Sequence, residues 1–221
     1  TRSAEAAAPA PVVLRYPFTG RWRAINSPAR RVPSHGTHRF GTTYAIDFVA
    51  VDERGRSAPP SLRAIVATEP PELFVGYGQP ILAPAAGRVV ALHDAQPDHE
   101  ARRSQLTLLP YAFTQARRAR EGAVGLAGNH VVIALGGGHA GPFVSIAHLR
   151  LGSVQVRLGH EVEAGEVIGA CGNSGNSTEP HVHVQVTDSL QWSTSNGLPL
   201  AFGSSASDAR IPAENEIIDV V

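Results

Sequence analysis

The 221-residue chain has no lysine, no methionine, one cysteine and few aromatic residues (6%). Each shortage excludes something. Without lysine there is no amine to carry a lipoyl or biotinyl group, although Glu161-Val162-Glu163-Ala164-Gly165-Glu166-Val167-Ile168-Gly169 has the strand-turn-strand character of such carriers. With Cys171 alone there is no internal disulfide framework, so cysteine content names no compartment. Nineteen arginines balance nineteen acidic residues, which leaves neither a basic excess for nucleic acid nor an acidic tail suggesting disorder. No stretch approaches the roughly 18 apolar residues of a membrane helix, and the Ala/Pro-rich start from Ala6 to Pro11 lacks the apolar core of a signal peptide. The exclusive use of arginine and the lack of methionine suggest codon bias, and a start at Thr1 suggests a processed or trimmed N-terminus. A soluble monomer that spans no membrane and binds no nucleic acid is expected.

What is present points to short strands. Hydrophobic residues make up 43% of the chain, with 22 glycines and 17 prolines, and such punctuation favours a mainly β domain over a helical one. Expected strands are Tyr44 to Val51, Ile81-Leu82, Gly87 to Leu92, His130 to Leu135, Phe143 to His148, Glu161-Val162, Val167 to Gly169 and His181 to Val186. They predict one antiparallel sheet or sandwich domain over residues 13–203. Residues 1–12 are expected as a flexible segment and residues 204–221 as a mobile tail. Two insertions, 52–78 and 94–128, interrupt the strands, and the second holds the one predicted helix, Tyr111 to Glu121. Its Arg117, Arg118 and Arg120 read as a solvated face, with a grip on an anionic polymer as the alternative. Gly136-Gly137-Gly138 lacks the Lys-Ser/Thr and following helix of a phosphate loop and reads as a hairpin turn.

The chemistry concentrates in His181-Val182-His183. Along a strand, side chains alternate between faces, so His181, His183 and Gln185 share one face while Val182, Val184 and Val186 point to the core. Two imidazoles two residues apart are separated by roughly 6 to 7 Å, so one can bind a metal while its neighbour handles protons. The preceding Gly172-Asn173-Ser174-Gly175-Asn176-Ser177-Thr178-Glu179-Pro180 is rich in turn formers and can leave one side open to substrate. The bland alternative is two histidines on a polar strand face. Other folds using His-x-His fit less well. A cupin would want a glutamate four or five residues beyond His183, where Thr187 and Asp188 stand. A metallo-β-lactamase would want an aspartate and a histidine just after the pair, where Gln185 and Val186 stand. Cys171, between Ala170 and Gly172, is expected as a buried small hydrophobe. His93, His99, His130, His139 and His160 have no spacing that ties them to the pair and are expected at the surface or a strand edge.

Gly172-Asn173-Ser174-Gly175-Asn176-Ser177-Thr178-Glu179-Pro180-His181-Val182-His183 resembles the signature of the LytM/lysostaphin-type metallopeptidases, the M23 family. Gly159 to Gly169 looks like the stretch leading into that loop, and Ser145-Ile146-Ala147-His148-Leu149 like the family's Tyr-Ala-His-Leu element. Gln79 to Val90 is similar to its early strand pair. The resemblance implies that His183 and Asp47, in Ala45-Ile46-Asp47-Phe48, are zinc ligands. On residue type alone Asp47 is a strand-end carboxylate making turn hydrogen bonds. The family's first histidine ligand precedes the aspartate by four residues, where this chain has Thr43, which cannot replace it. Either the site is degenerate, or the nitrogen comes from Pro33-Ser34-His35-Gly36-Thr37-His38-Arg39-Phe40-Gly41, whose glycines permit a fold-back. His35 is the expected third ligand, with His38 as the alternative and an exposed loop histidine as the bland reading of both.

A His/Asp/His set with an open position suits catalytic Zn2+. The resemblance then implies a zinc endopeptidase acting on peptidoglycan peptides, with His181 as the base and His148 steadying the oxyanion. As a bare sequence feature, His148 is a structural residue at a strand end. A LytM-like domain without catalysis, acting as a binding or activating module, is the competing reading, and Thr43 is its support. Because peptidoglycan lies outside the cytoplasmic membrane, a secreted or wall-associated protein is expected.

Overall fold

The computed structural model describes residues 9–103, 122–136 and 141–221. The predicted helix from Tyr111 to Glu121 with its three arginines, His139, and Gly137-Gly138 of the glycine run lie outside these residues. Among the described residues the strands are β1 (Val12–Leu14), β2 (Gly20–Ile25), β3 (Ile46–Ala50), β4 (Pro80–Leu82), β5 (Gly87–His93), β6 (Asn129–Leu135), β7 (Phe143–Leu149), β8 (Glu161–Val162), β9 (Val167–Ala170), β10 (Val182–Thr187), β11 (Leu200–Phe202) and β12 (Ile217–Val220). Two short helices, α1 (Arg63–Val66) and α2 (Gly122–Ala127), fall in the insertions. Among the described residues no helix is long and apolar enough to cross a membrane. The architecture is mainly β, as the composition implies.

Eight strands form one sheet in the order β12-β2-β3-β10-β7-β6-β5-β8, with every neighbouring pair antiparallel. Alternation along the central strands sorts their side chains. Ile46 and Phe48 of β3, Val182, Val184 and Val186 of β10, and Val144 and Ile146 of β7 join the main core. The intervening Asp47, His183, Gln185 and Ser145 go to the opposite face. An aromatic cluster lies on the core side: Phe18 stacks on Trp22 at 4.6 Å between ring centroids and meets Phe48 edge-on at 5.0 Å. A fully buried phenylalanine contributes about 1.5–3 kcal/mol of transfer free energy, so this cluster anchors the sheet beneath the polar face. The pairs β4–β9 and β1–β11 complete the described strands, the latter parallel.

Three expectations change. The predicted strand from Tyr44 to Val51 is shorter, because a 3-10 segment, Arg39–Tyr44, turns the chain just before β3. Residues 204–221, expected as a mobile tail, return to the sheet, where β12 pairs along β2 from Ile217 opposite Arg23 to Val220 opposite Gly20. A four-residue strand with one buried side chain, Ile218, is too short for its period to stand out in a polar segment. His130 is buried rather than at the surface, its Nδ1–H donating to the Gly128 carbonyl at 2.7 Å and its ring packed against Trp192.

The two insertions bind each other and the polar end of the sheet. Glu69 and Ala101 exchange backbone hydrogen bonds of 3.0 and 2.8 Å, and Arg103 grips the buried Glu69 carboxylate with two hydrogen bonds of 2.7 Å. From the second insertion, Asp98 accepts the backbone N–H of Asn173 at 2.5 Å and that of Leu151 at 3.0 Å. The Asn173 amide donates to the His99 carbonyl at 2.6 Å. Asp98 and His99 thus form a strap across the loop that precedes His181.

Candidate metal centre

β10 lies between β3 and β7, so register decides what meets His183: Asp47 is its partner on one side and Ala147 on the other. His148 would share the core face of Val144 and Ile146 if alternation continued. Instead, β7 bulges there: Asn129 pairs with Leu149 and the next residue, His130, with Ala147, so His148 is the extra residue and has φ of +64°. A bulge redirects a side chain and advances the strand's phase by one. His148 thereby turns to the polar face and Leu149 returns to the core. A non-glycine residue in the left-handed region is strained, and such strain gathers at functional sites.

Each of the four histidines has one nitrogen committed to the protein. His148 Nδ1–H donates to the Ser174 carbonyl at 2.9 Å, and His181 Nδ1–H to the Glu179 carbonyl at 2.8 Å. Ser34 Oγ donates to the Thr42 carbonyl at 3.1 Å, so it can only accept from His35 Nδ1–H, 3.0 Å away. His183 Nε2 lies 2.9 Å from Gln185 Oε1. The nitrogens left to face Asp47 and the cleft are Nε2 of His35, His148 and His181 and Nδ1 of His183. An open cleft of about 560 Å³ is lined by all four rings and Asp47, with Phe40, Leu126 and Trp192 as apolar walls.

Asp47 is the hub. Its Oδ1 is 2.8 Å from His183 Nδ1 and 3.8 Å from His181 Nε2; its Oδ2 is 3.1 Å from His35 Nε2 and accepts a hydrogen bond from Asn26 Nδ2 at 2.7 Å. Burial opposes its ionisation, but the neighbouring His35 and His181 and the hydrogen bonds from His183 and His35 hold the carboxyl well below its usual range. Burial acts on His183 in the same discharging sense and is outweighed by Asp47 and Gln185, which raise its pKa. His148 is pushed well below the ordinary histidine value by burial and then by His181 and His183. It is therefore a neutral imidazole at neutral pH.

These residues fit a metal. The potential donor atoms of His35, Asp47 and His183 all lie within 4.8 Å of one another. With their other nitrogens committed, neutral His35 and His183 would point lone pairs at carboxylate oxygens 3.1 and 2.8 Å away. Only a proton or a cation between them relieves that opposition, and two imidazoles with a carboxylate are a donor set suited to zinc. His38 is not part of the group: its Nδ1 sits 3.2 Å from Thr43 Oγ1. Buried Cys171 is packed in the core, where burial raises its thiol pKa well above the ordinary value.

Sequence reasoning did not single out Asn26, Ser34 or Ser177, which accompany Asp47, His35 and His181. Ser177 Oγ lies 3.0 Å from His181 Nδ1 and donates to the same Glu179 carbonyl. No local pattern marks Asn26, whose contact depends on how β2 meets β3, whereas Ser34 adjoins His35 and reaches the Thr42 carbonyl within the same loop. Gln185 alone carried a signal, through the period-2 face it shares with His183.

Residues 111–196 match the family model described as Peptidase family M23. The matched stretch contains His148, His181 and His183; His35 and Asp47 lie upstream of it. No curated protein matches the chain. Among solved structures, the catalytic domain of the antimicrobial peptidase lysostaphin from Staphylococcus simulans is similar at 20% identity, covering 70% of this chain and 74% of that one, with a TM-score of 0.38. The catalytic domain of a mutant of the prophage-encoded M23 protein EnpA from Enterococcus faecalis is similar at 17% identity, covering 70% and 73%, with a TM-score of 0.39.

Proposed function

We propose that this protein is a zinc-dependent endopeptidase that hydrolyses peptide bonds in bacterial peptidoglycan, with His35, Asp47 and His183 as the metal ligands. The observation that carries the proposal is the convergence of three donors on one point beside two further histidines whose free Nε2 atoms face the same cleft. The M23 match supports the peptidase class and, with it, the wall substrate and a site of action outside the cytoplasmic membrane. Bound zinc would supply an activated water and a polarised substrate carbonyl.

The chain's own residues handle the proton. His181, anchored through Nδ1, presents Nε2 to the cleft and takes the proton of the attacking water. The role implied for His148 needs adjustment. With Nδ1–H committed to Ser174, a neutral His148 offers the cleft an acceptor, not a donor, so it can steady an oxyanion only after gaining a proton. Its depressed pKa keeps Nε2 unprotonated, so it lies as a second hydrogen-bond acceptor beside His181, 4.6 Å away between ring centroids. His181 can then return the proton to the leaving amine.

The test compares His181→Ala and His183→Ala with wild type for bound zinc and for release of new amino termini from purified peptidoglycan. His183→Ala is expected to lose the metal; His181→Ala is expected to keep it and lose at least about a hundredfold in rate. Wild-type protein that holds stoichiometric zinc and leaves peptidoglycan uncut would sink the enzymatic reading. Sedimentation of that protein with the sacculus would favour the binding or activating module instead.

A further inference from the structure

Gln185 stands where the strand carrying His183 meets the loop carrying His35, and its amide orientation can be deduced. Phe40 has φ of +61° and Gly41 φ of +73°, and these successive left-handed residues turn the Phe40 carbonyl toward β10. That oxygen can only accept, so the Gln185 NH2 group, 3.1 Å away, must face it. Gln185 Oε1 therefore faces His183 Nε2 at 2.9 Å and requires a proton there. The consequence for His183 is that Nδ1, on the Asp47 side, is the nitrogen left for a metal. Gln185 is fully buried, so loss of either hydrogen bond would strand a polar group away from water.

We propose that Gln185 is a positioning residue with two linked tasks: it sets which nitrogen of His183 is available to the metal, and it ties the His35 loop to β10. One side chain thereby fixes the separation of two ligands that lie far apart in sequence. The first task rests on the ligand assignment proposed above; the second does not. Groups that accept a ring N–H from a metal-binding histidine fix its tautomer and raise its basicity, and their loss typically weakens metal binding about 10–100-fold.

The experiment uses Gln185→Leu, which removes both hydrogen bonds, and Gln185→Glu, which retains an acceptor for His183 and removes the donor to Phe40. Zinc affinity is measured by competition with a chelating indicator, the His183 Nε2 proton by nitrogen-15 NMR of metal-free protein, and the 39–44 backbone by amide hydrogen exchange. Gln185→Leu is expected to bind zinc about 10–100-fold more weakly and to lose the protected ring proton. Gln185→Glu is expected to keep the ring proton, since a carboxylate still orients the ring, and to lose less zinc affinity than Gln185→Leu, its loss coming from the released His35 loop alone. Exchange over 39–44 should quicken in both. Wild-type zinc affinity and an unchanged ring proton in Gln185→Leu would overturn the first task. Unchanged loop exchange in Gln185→Glu would overturn the second, even if the leucine variant does not fold. If wild type takes up no zinc, the ligand assignment fails, while the ring proton and loop exchange still decide whether Gln185 positions these groups.

Discussion

His35 Nε2 lies 3.1 Å from Asp47 Oδ2, although twelve residues separate the two in the chain. The M23 resemblance implies a histidine four residues before the aspartate in this role, and Thr43 occupies that position. The loop from Ser34 brings a replacement imidazole from farther upstream, and Ser34 fixes which nitrogen it presents. His35→Ala should therefore weaken zinc binding by at least about tenfold, whereas His38→Ala should change it less than about threefold. A chelator competition titration distinguishes them. Equal losses in the two variants would remove His35 from the site.

Acid should also empty the site. His183 has a raised pKa, so its ring retains a proton at pH values where an ordinary histidine has lost it. A metal ligand must be deprotonated, so zinc has to displace that proton. Apparent affinity is expected to fall by up to about tenfold per pH unit as pH drops through the folded pKa of His183, and to level off above it. The depressed Asp47 stays ionised across this window and adds no proton to the count. Calorimetry in buffers of different ionisation enthalpy should register proton release on zinc binding that grows as pH falls; no release at any pH would mean that His183 does not give up a proton to the metal.

Much of this site was legible because it obeys strand alternation. Val182, Val184 and Val186 mark the buried face, which leaves His183 and Gln185 on the other, and the turn-rich run before His181 marks the loop. The legible part stops where tertiary contacts take over. His148 reaches the cleft only because β7 bulges there, and strict alternation would have pointed it into the core. Asn26 touches the site through a carboxylate remote in sequence, and Ser34 through the adjoining His35 once the loop returns to Thr42, so no local period announces either. The return of β12 to the sheet edge escaped notice for a related reason: its short, polar-flanked strand gains its meaning from β2.

The Asp98 strap predicts a stability effect outside the metal group. Its carboxylate accepts backbone N–H groups from Asn173 and Leu151, and the Asn173 stretch leads to Ser174, whose carbonyl anchors His148. Asp98→Ala leaves those donors without their acceptor and should cost about 1–3 kcal/mol, seen as a lower unfolding midpoint in denaturant. Asp98→Asn, which keeps one acceptor oxygen, should recover part of the loss. Unchanged midpoints in both variants would show that the strap contributes nothing to the loop.

Gly41→Ala tests the seat of the His35 loop by steric means. At this position φ is +73°, and a Cβ would lie 2.3 Å from Thr187 Cγ2 and 3.0 Å from Ser195 Oγ. The left-handed backbone alone disfavours an L side chain by about 1–2 kcal/mol, and the contact with β10 adds to that because Thr187 and Gln185 lie on the same strand face. Relief would require the loop to lift from β10, which would lengthen the Gln185 hydrogen bond to Phe40 and draw His35 away from Asp47. The variant should thus lose stability and zinc affinity together, by at least about tenfold for the metal. Gly36→Ala has a similar φ of +75° but nothing within 4 Å of the added carbon, so it carries the backbone strain without the collision. Paired denaturation and zinc titrations should place Gly36→Ala between wild type and Gly41→Ala, and equal zinc affinity in the two variants would mean that the loop does not need its seat on β10 to present His35.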